Sequence, residues 1–93
     1  MASHRVLVAE DNADAARVIA ALIDCEPDLE CAGVVTTSAE ILAALGTQPP
    51  DALVLDLQLA AESSIPVLAE CRRRFPDVVV LVLSGHSNPA LMT

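Results

Sequence analysis

Ninety-three residues make one small domain, and thirteen acids against five bases leave a formal charge of −8. That balance argues against nucleic acid or an anionic membrane as a direct partner, since neither phosphate surface would attract the chain. With 54% hydrophobic residues but Phe75 as the one aromatic, the core has to be built from Ala, Val, Leu and Ile.

RVLVAE, from Arg5, is a short aliphatic run that reads as a first strand. Asn12 is placed to cap the helix that follows, in which Ala15, Val18, Ile19 and Leu22 recur at helical spacing. Pro27 disfavours α geometry at Glu26, so the helix should stop before it. LECAGVV is a second strand ending near Val35, and Thr37-Ser38-Ala39-Glu40 has the form of a capping box opening a helix through Leu45. Gly46 and Pro49-Pro50 are expected to end that helix. ALVLD, Ala52 to Asp56, is apolar until its last residue, as a central strand covered on both faces would be.

After a polar loop, Ser64 is the expected cap of a third helix with Pro66 in its first turn, where proline is tolerated. Val67, Leu68, Cys71 and Phe75 form its apolar stripe, with Arg72, Arg73 and Arg74 toward solvent. VVVLVLSG, from Val78, is the fourth strand, and Asn88-Pro89 starts a fourth helix near the last residue, Thr93. Strands alternating with helices predict an α/β fold with a parallel sheet. Cys25, Cys31 and Cys71 lack metal-ligand spacing and read as small buried hydrophobes in a reducing cytosol. No apolar run is long enough to span a bilayer, and the N-terminus lacks a signal peptide's apolar stretch, so a cytoplasmic location is expected.

In an open parallel sheet, sites form outside the carboxyl ends of the strands. Strand one delivers Glu10 and Asp11 there, strand three Asp56, and strand four Ser84. Each has an ordinary explanation: acids favour a helix start, Asp56 can simply end a strand, and Ser84 can form a turn. Taken together they converge on one crevice, where carboxylates repel unless a cation lies among them. Hard oxygen ligands select Mg2+. A carboxylate beside that ion is suited to attack phosphorus and become an aspartyl-phosphate.

AEDN at the first strand end, VLDLQLA around Asp56 and VLSG at the fourth strand end resemble the receiver domain of two-component response regulators. EPDLECAGVVTTSAE, PDALVLDLQL and RRRFPDVVVLVLSG resemble most the receivers that precede a helix-turn-helix DNA-binding domain, the NarL/LuxR type. The resemblance runs from Arg5 to Thr93. It implies a flavodoxin-like (CheY-like) parallel sheet with helices on both faces, in the order 2-1-3-4, as one domain over residues 1–93. It further implies a phosphoacceptor rather than an enzyme, with Asp56 taking the phosphoryl group from a sensor histidine kinase. Glu10, Asp11, Asp56 and the backbone carbonyl of Gln58 would hold Mg2+. Ser84 would be the switch hydroxyl, Gly85 would leave room for the donor, and Gln58 and His86 would influence loss of the phosphoryl group; a solvated loop histidine is the plain alternative for His86.

Two positions depart from the family pattern: Ala60 stands where a proline is usual and Ser64 where a glycine is. The resemblance also implies that the domain is C-terminally incomplete, lacking the fifth strand and fifth helix. The chain has no lysine, its bases being Arg5, Arg17, Arg72, Arg73 and Arg74, so the cation that normally pairs with the phosphoryl oxygens is missing. Self-association through the strand-four edge or an uncovered sheet face is expected in consequence. The alternative function is a receiver-like interaction or dimerisation module without working phosphotransfer. An aspartate-based phosphatase would want an acid where Gln58 stands, and a flavin binder would not place carboxylates at its phosphate loop.

Overall fold

The computed structural model describes residues 3–59 and 62–83. Its elements are β1 (His4–Ala9), α1 (Ala13–Asp24), β2 (Leu29–Val35), α2 (Ser38–Thr47), β3 (Ala52–Asp56), β4 (Gln58–Leu59), β5 (Glu62–Ser63), α3 (Ile65–Arg74) and β6 (Val79–Leu83). The main sheet is parallel, in the order β2-β1-β3-β6. This is the expected 2-1-3-4 arrangement, with β6 as the fourth strand of the sequence reading.

Strand alternation sorts the core into two layers. Leu7 and Ala9 of β1 and Leu53 and Leu55 of β3 meet Ile41 and Leu45 of α2 and Val67 and Cys71 of α3. Val6 and Val8 with Val54 meet Ile23 of α1 on the other face. Ile41, Leu45, Leu53 and Leu55 are fully buried, each contributing roughly 1.5–3 kcal/mol by area. One irregularity interrupts β2: the register with β1 shifts between Val6 and Leu7, and Gly33 takes φ +150° beside it, a backbone conformation that suits glycine.

Several local expectations need correcting. The buried residues of α1 are Ala16 and Ile23, with Ile19 packed beside them, whereas Val18 and Leu22 are 58% and 64% exposed. The apolar stripe is thus rotated from the one the sequence spacing picks out. Helix α2 runs through Gly46 to Thr47, because a single glycine near a helix end costs only about 1 kcal/mol. The polar loop after β3 contains a two-stranded antiparallel ladder, with Gln58 opposite Ser63 and Leu59 opposite Glu62. Ser64 occupies the cap position of α3 but makes no side-chain cap bond. Only Cys71 of the cysteines is buried; Cys31 is half-buried and Cys25 exposed.

Candidate functional site

The loop after β1 separates its two acids from the capping of α1. The side chain of Asn12 caps α1 by accepting the Ala15 N–H at 2.9 Å, and the acid in the first turn is Asp14. Glu10 and Asp11 therefore have no capping task. Glu10 is held at the sheet's carboxyl end by its own N–H, which donates to the Val35 carbonyl at 3.0 Å. Its Oε2 accepts the Asn12 N–H at 3.1 Å.

Asp56 reaches the same place from the neighbouring strand. The pairing of Val8 with Val54 and Ala9 with Leu55 sets the ends of β1 and β3 side by side. Asp56 is buried, and its Oδ1 accepts the Gln58 N–H at 3.0 Å, which anchors one oxygen of the carboxylate. One carboxylate oxygen each from Glu10, Asp11 and Asp56 lies within 4.8 Å of the others. Glu10 and Asp56 are buried and Asp11 is exposed, so the cluster has a closed floor and one solvent-facing side.

Burial raises the Glu10 carboxyl above the ordinary carboxylate range. The Asn12 N–H pulls it back, while its hydrogen bond with Asp56 and the charges of Asp56 and Asp11 push it further up. A carboxyl under that pressure is relieved either by a proton or by a cation. The donor set consists of hard oxygens, two of them desolvated, and this fits Mg2+ better than a softer metal. Of the expected site residues, Glu10, Asp11 and Asp56 come together, and Gln58 reaches them through its main-chain N–H on Asp56. Ser84, Gly85, His86 and Ala60 lie outside the described residues.

Sequence reasoning missed two contacts. The first is the Asn12 amide on Glu10. The second is Ser64, whose hydroxyl turns inward and donates to the Asp56 main-chain carbonyl at 2.6 Å. Only the unusual serine at that position hinted at the second.

The response regulator receiver domain model matches residues 6–93. The chain is 31% identical over 89 residues to protein-glutamate methylesterase/protein-glutamine glutaminase 3 of Anaeromyxobacter dehalogenans, covering 96% of this chain and 26% of that protein. It is 26% identical over 88 residues to the DNA-binding transcriptional activator DevR/DosR of Mycobacterium tuberculosis, covering 95% of this chain and 41% of the activator. A crystal structure of a LuxR-family two-component response regulator from Aurantimonas sp. SI85-9A1 superposes with a TM-score of 0.84 at 19% identity, covering 98% of this chain and 65% of that one; this likeness concerns the fold. The chain spans about a quarter of the methylesterase and less than half of the activator.

Proposed function

The chain belongs to the response regulator receiver domain family of two-component systems, and on that premise we propose that Asp56 accepts a phosphoryl group from a sensor histidine kinase with Mg2+ bound by Glu10, Asp11, Asp56 and the Gln58 carbonyl. The observation that carries this reading is the meeting of three carboxylates, from the ends of β1 and β3, within 4.8 Å. The receiver domain on this reading takes in residues 6–93, acts in the cytoplasm and is itself no enzyme. Among the described residues no helix is long and apolar enough to cross a membrane.

When bound, the ion would neutralise the carboxylates and polarise the phosphoryl oxygens. The chain's own residues supply the rest. The Gln58 amide holds Asp56 Oδ1, so the carboxylate meets phosphorus in a fixed orientation instead of as a free rotor. An Asp56 oxygen forms the new O–P bond as the donor's P–N bond breaks, leaving an acyl phosphate on Asp56 and a free imidazole on the donor. Glu10 and Asp11 would hold the cation and take no part in bond making. Ser84 is assigned the switch hydroxyl that donates to the transferred group.

The test is incubation of the chain and of Asp56→Asn with Mg2+ and acetyl phosphate, read by intact mass. Uptake of one phosphoryl group by the unsubstituted chain alone supports the proposal. No uptake by either contradicts it.

A second reading, an interaction module, draws on β6. Val79, Leu81, Val82 and Leu83 are all exposed, and among the described strands β6 pairs with β3 alone. An apolar strand with one unpaired edge is a template for a second chain. Self-association through it is compatible with phosphotransfer and would stand without it.

A further inference from the structure

Ser64 stands eight residues beyond Asp56 and is wholly buried. At the cap of α3 its hydroxyl would ordinarily accept an N–H of the first helical turn. Instead it donates to the Asp56 carbonyl at 2.6 Å, a short bond in a water-free setting. Its main chain is engaged on both sides: the Ser64 N–H donates to the Leu57 carbonyl at 2.8 Å, and its carbonyl accepts the Leu68 N–H at 2.9 Å. The first of these bonds continues the β4–β5 ladder by one step. The second is the first turn of α3. Ser64 therefore joins three things at one point: the end of β3, the small hairpin and the start of α3.

The Asp56 carbonyl lies past the last β1–β3 pair, Ala9 with Leu55. The other side of that peptide is held by β6, the Leu57 N–H donating to the Leu83 carbonyl at 2.9 Å; without Ser64 its carbonyl would be unheld and the peptide could rotate about that one bond. That rotation would carry the Gln58 N–H away from Oδ1, and with it the orientation of the carboxylate in the acidic cluster. We propose that Ser64 is a positioning residue for the Asp56 site, its hydroxyl locking the Asp56–Leu57 peptide so that the Asp56 carboxylate faces Glu10 and Asp11. The assignment rests on the function proposed for Asp56 and adds a residue to it.

The experiment compares Ser64→Ala, Ser64→Thr and Val78→Ala in the whole chain. Val78 is buried at the opposite end of the sheet, so Val78→Ala controls for lost stability alone. The first readout needs no metal: hydrogen exchange of the Gln58 amide reports whether it still bonds to Asp56. Ser64→Ala should lose this protection by on the order of tenfold, Ser64→Thr should restore it and Val78→Ala should keep it. The second readout is Mg2+ affinity and the rate of phosphoryl uptake from acetyl phosphate, with Ser64→Ala about 10- to 100-fold slower. Equal Gln58 protection in Ser64→Ala and the unsubstituted chain overturns the assignment, as does equal loss in Ser64→Ala and Val78→Ala. An unsubstituted chain that ignores both Mg2+ and acetyl phosphate contradicts the proposed function itself, and the Gln58 comparison still decides whether Ser64 orients Asp56.

Discussion

The Asn12 main-chain N–H donates to Glu10 Oε2 at 3.1 Å while the Asn12 side chain caps α1 through the Ala15 N–H at 2.9 Å. One residue thus ties the acidic cluster to the helix that follows it by two separate bonds. Only the second depends on the side chain. Asn12→Ala should cost about 1 kcal/mol of stability, the usual worth of an N-cap, and leave Mg2+ affinity unchanged. Urea unfolding beside a Mg2+ titration checks both halves, and a large loss of affinity would show that the cap side chain shapes the site.

The raised Glu10 carboxyl makes stability depend on pH in a stated direction. Because its folded value lies above the unfolded one, its contribution is fully present below about 4.5 and is lost as pH rises through the folded value. In metal-free buffer Glu10→Gln should therefore melt higher than the unsubstituted chain at pH 7, with the gap closing below pH 4.5. Saturating Mg2+ should reverse the order at pH 7. Glu40 runs the other way: the Thr36 N–H and hydroxyl hold its carboxyl low, so its contribution is present above 4.5 and lost as pH falls through its folded value. Thermal melts from about pH 3 to 7 on Glu10→Gln and Glu40→Gln separate the two trends.

Helix α1 offers a test of which face is buried. Ile23→Ala should cost about 2–4 kcal/mol, since Ile23 packs under Val6, Val8 and Val54. Leu22→Ala, at a side chain 64% exposed, should stay within about 0.5 kcal/mol. Denaturant midpoints that reversed this order would restore the stripe first read from the sequence.

Gly46 is a helical residue with open space where a Cβ would stand. Gly46→Ala should stabilise the chain by about 0.5–1 kcal/mol, through the lower entropy of the unfolded chain and better helix propensity. A destabilised variant would mean that the end of α2 needs a conformation closed to alanine.

What was legible in the sequence follows from signal strength. ALVLD is bounded by Pro50-Asp51 and by its own aspartate, and β3 begins and ends where that pattern does. The same clarity places Glu10, Asp11 and Asp56 at one end of the sheet from the strand pattern alone. The α1 stripe was misread because Ala-rich helices carry two overlapping apolar rows: Ile19 belongs to both, and only packing against Val6, Val8 and Val54 selects the one with Ile23. The β4–β5 ladder is two residues per strand, too short for any period to show. Ser64 was assigned to a cap because serine before a helix usually caps; burial beside the Asp56 carbonyl overrode that preference.

The central claim, that the acids gathered at the ends of β1 and β3 form a Mg2+-dependent phosphoacceptor site, is tested most directly by titrating the folded chain with Mg2+ while following backbone amide resonances. Glu10, Asp11, Asp56 and Gln58 should shift together along one saturable curve, with Asp56→Asn weakening it and the distant Arg5–Asp51 pair unmoved. Resonances of the four that stay still while the fold remains intact would contradict the account.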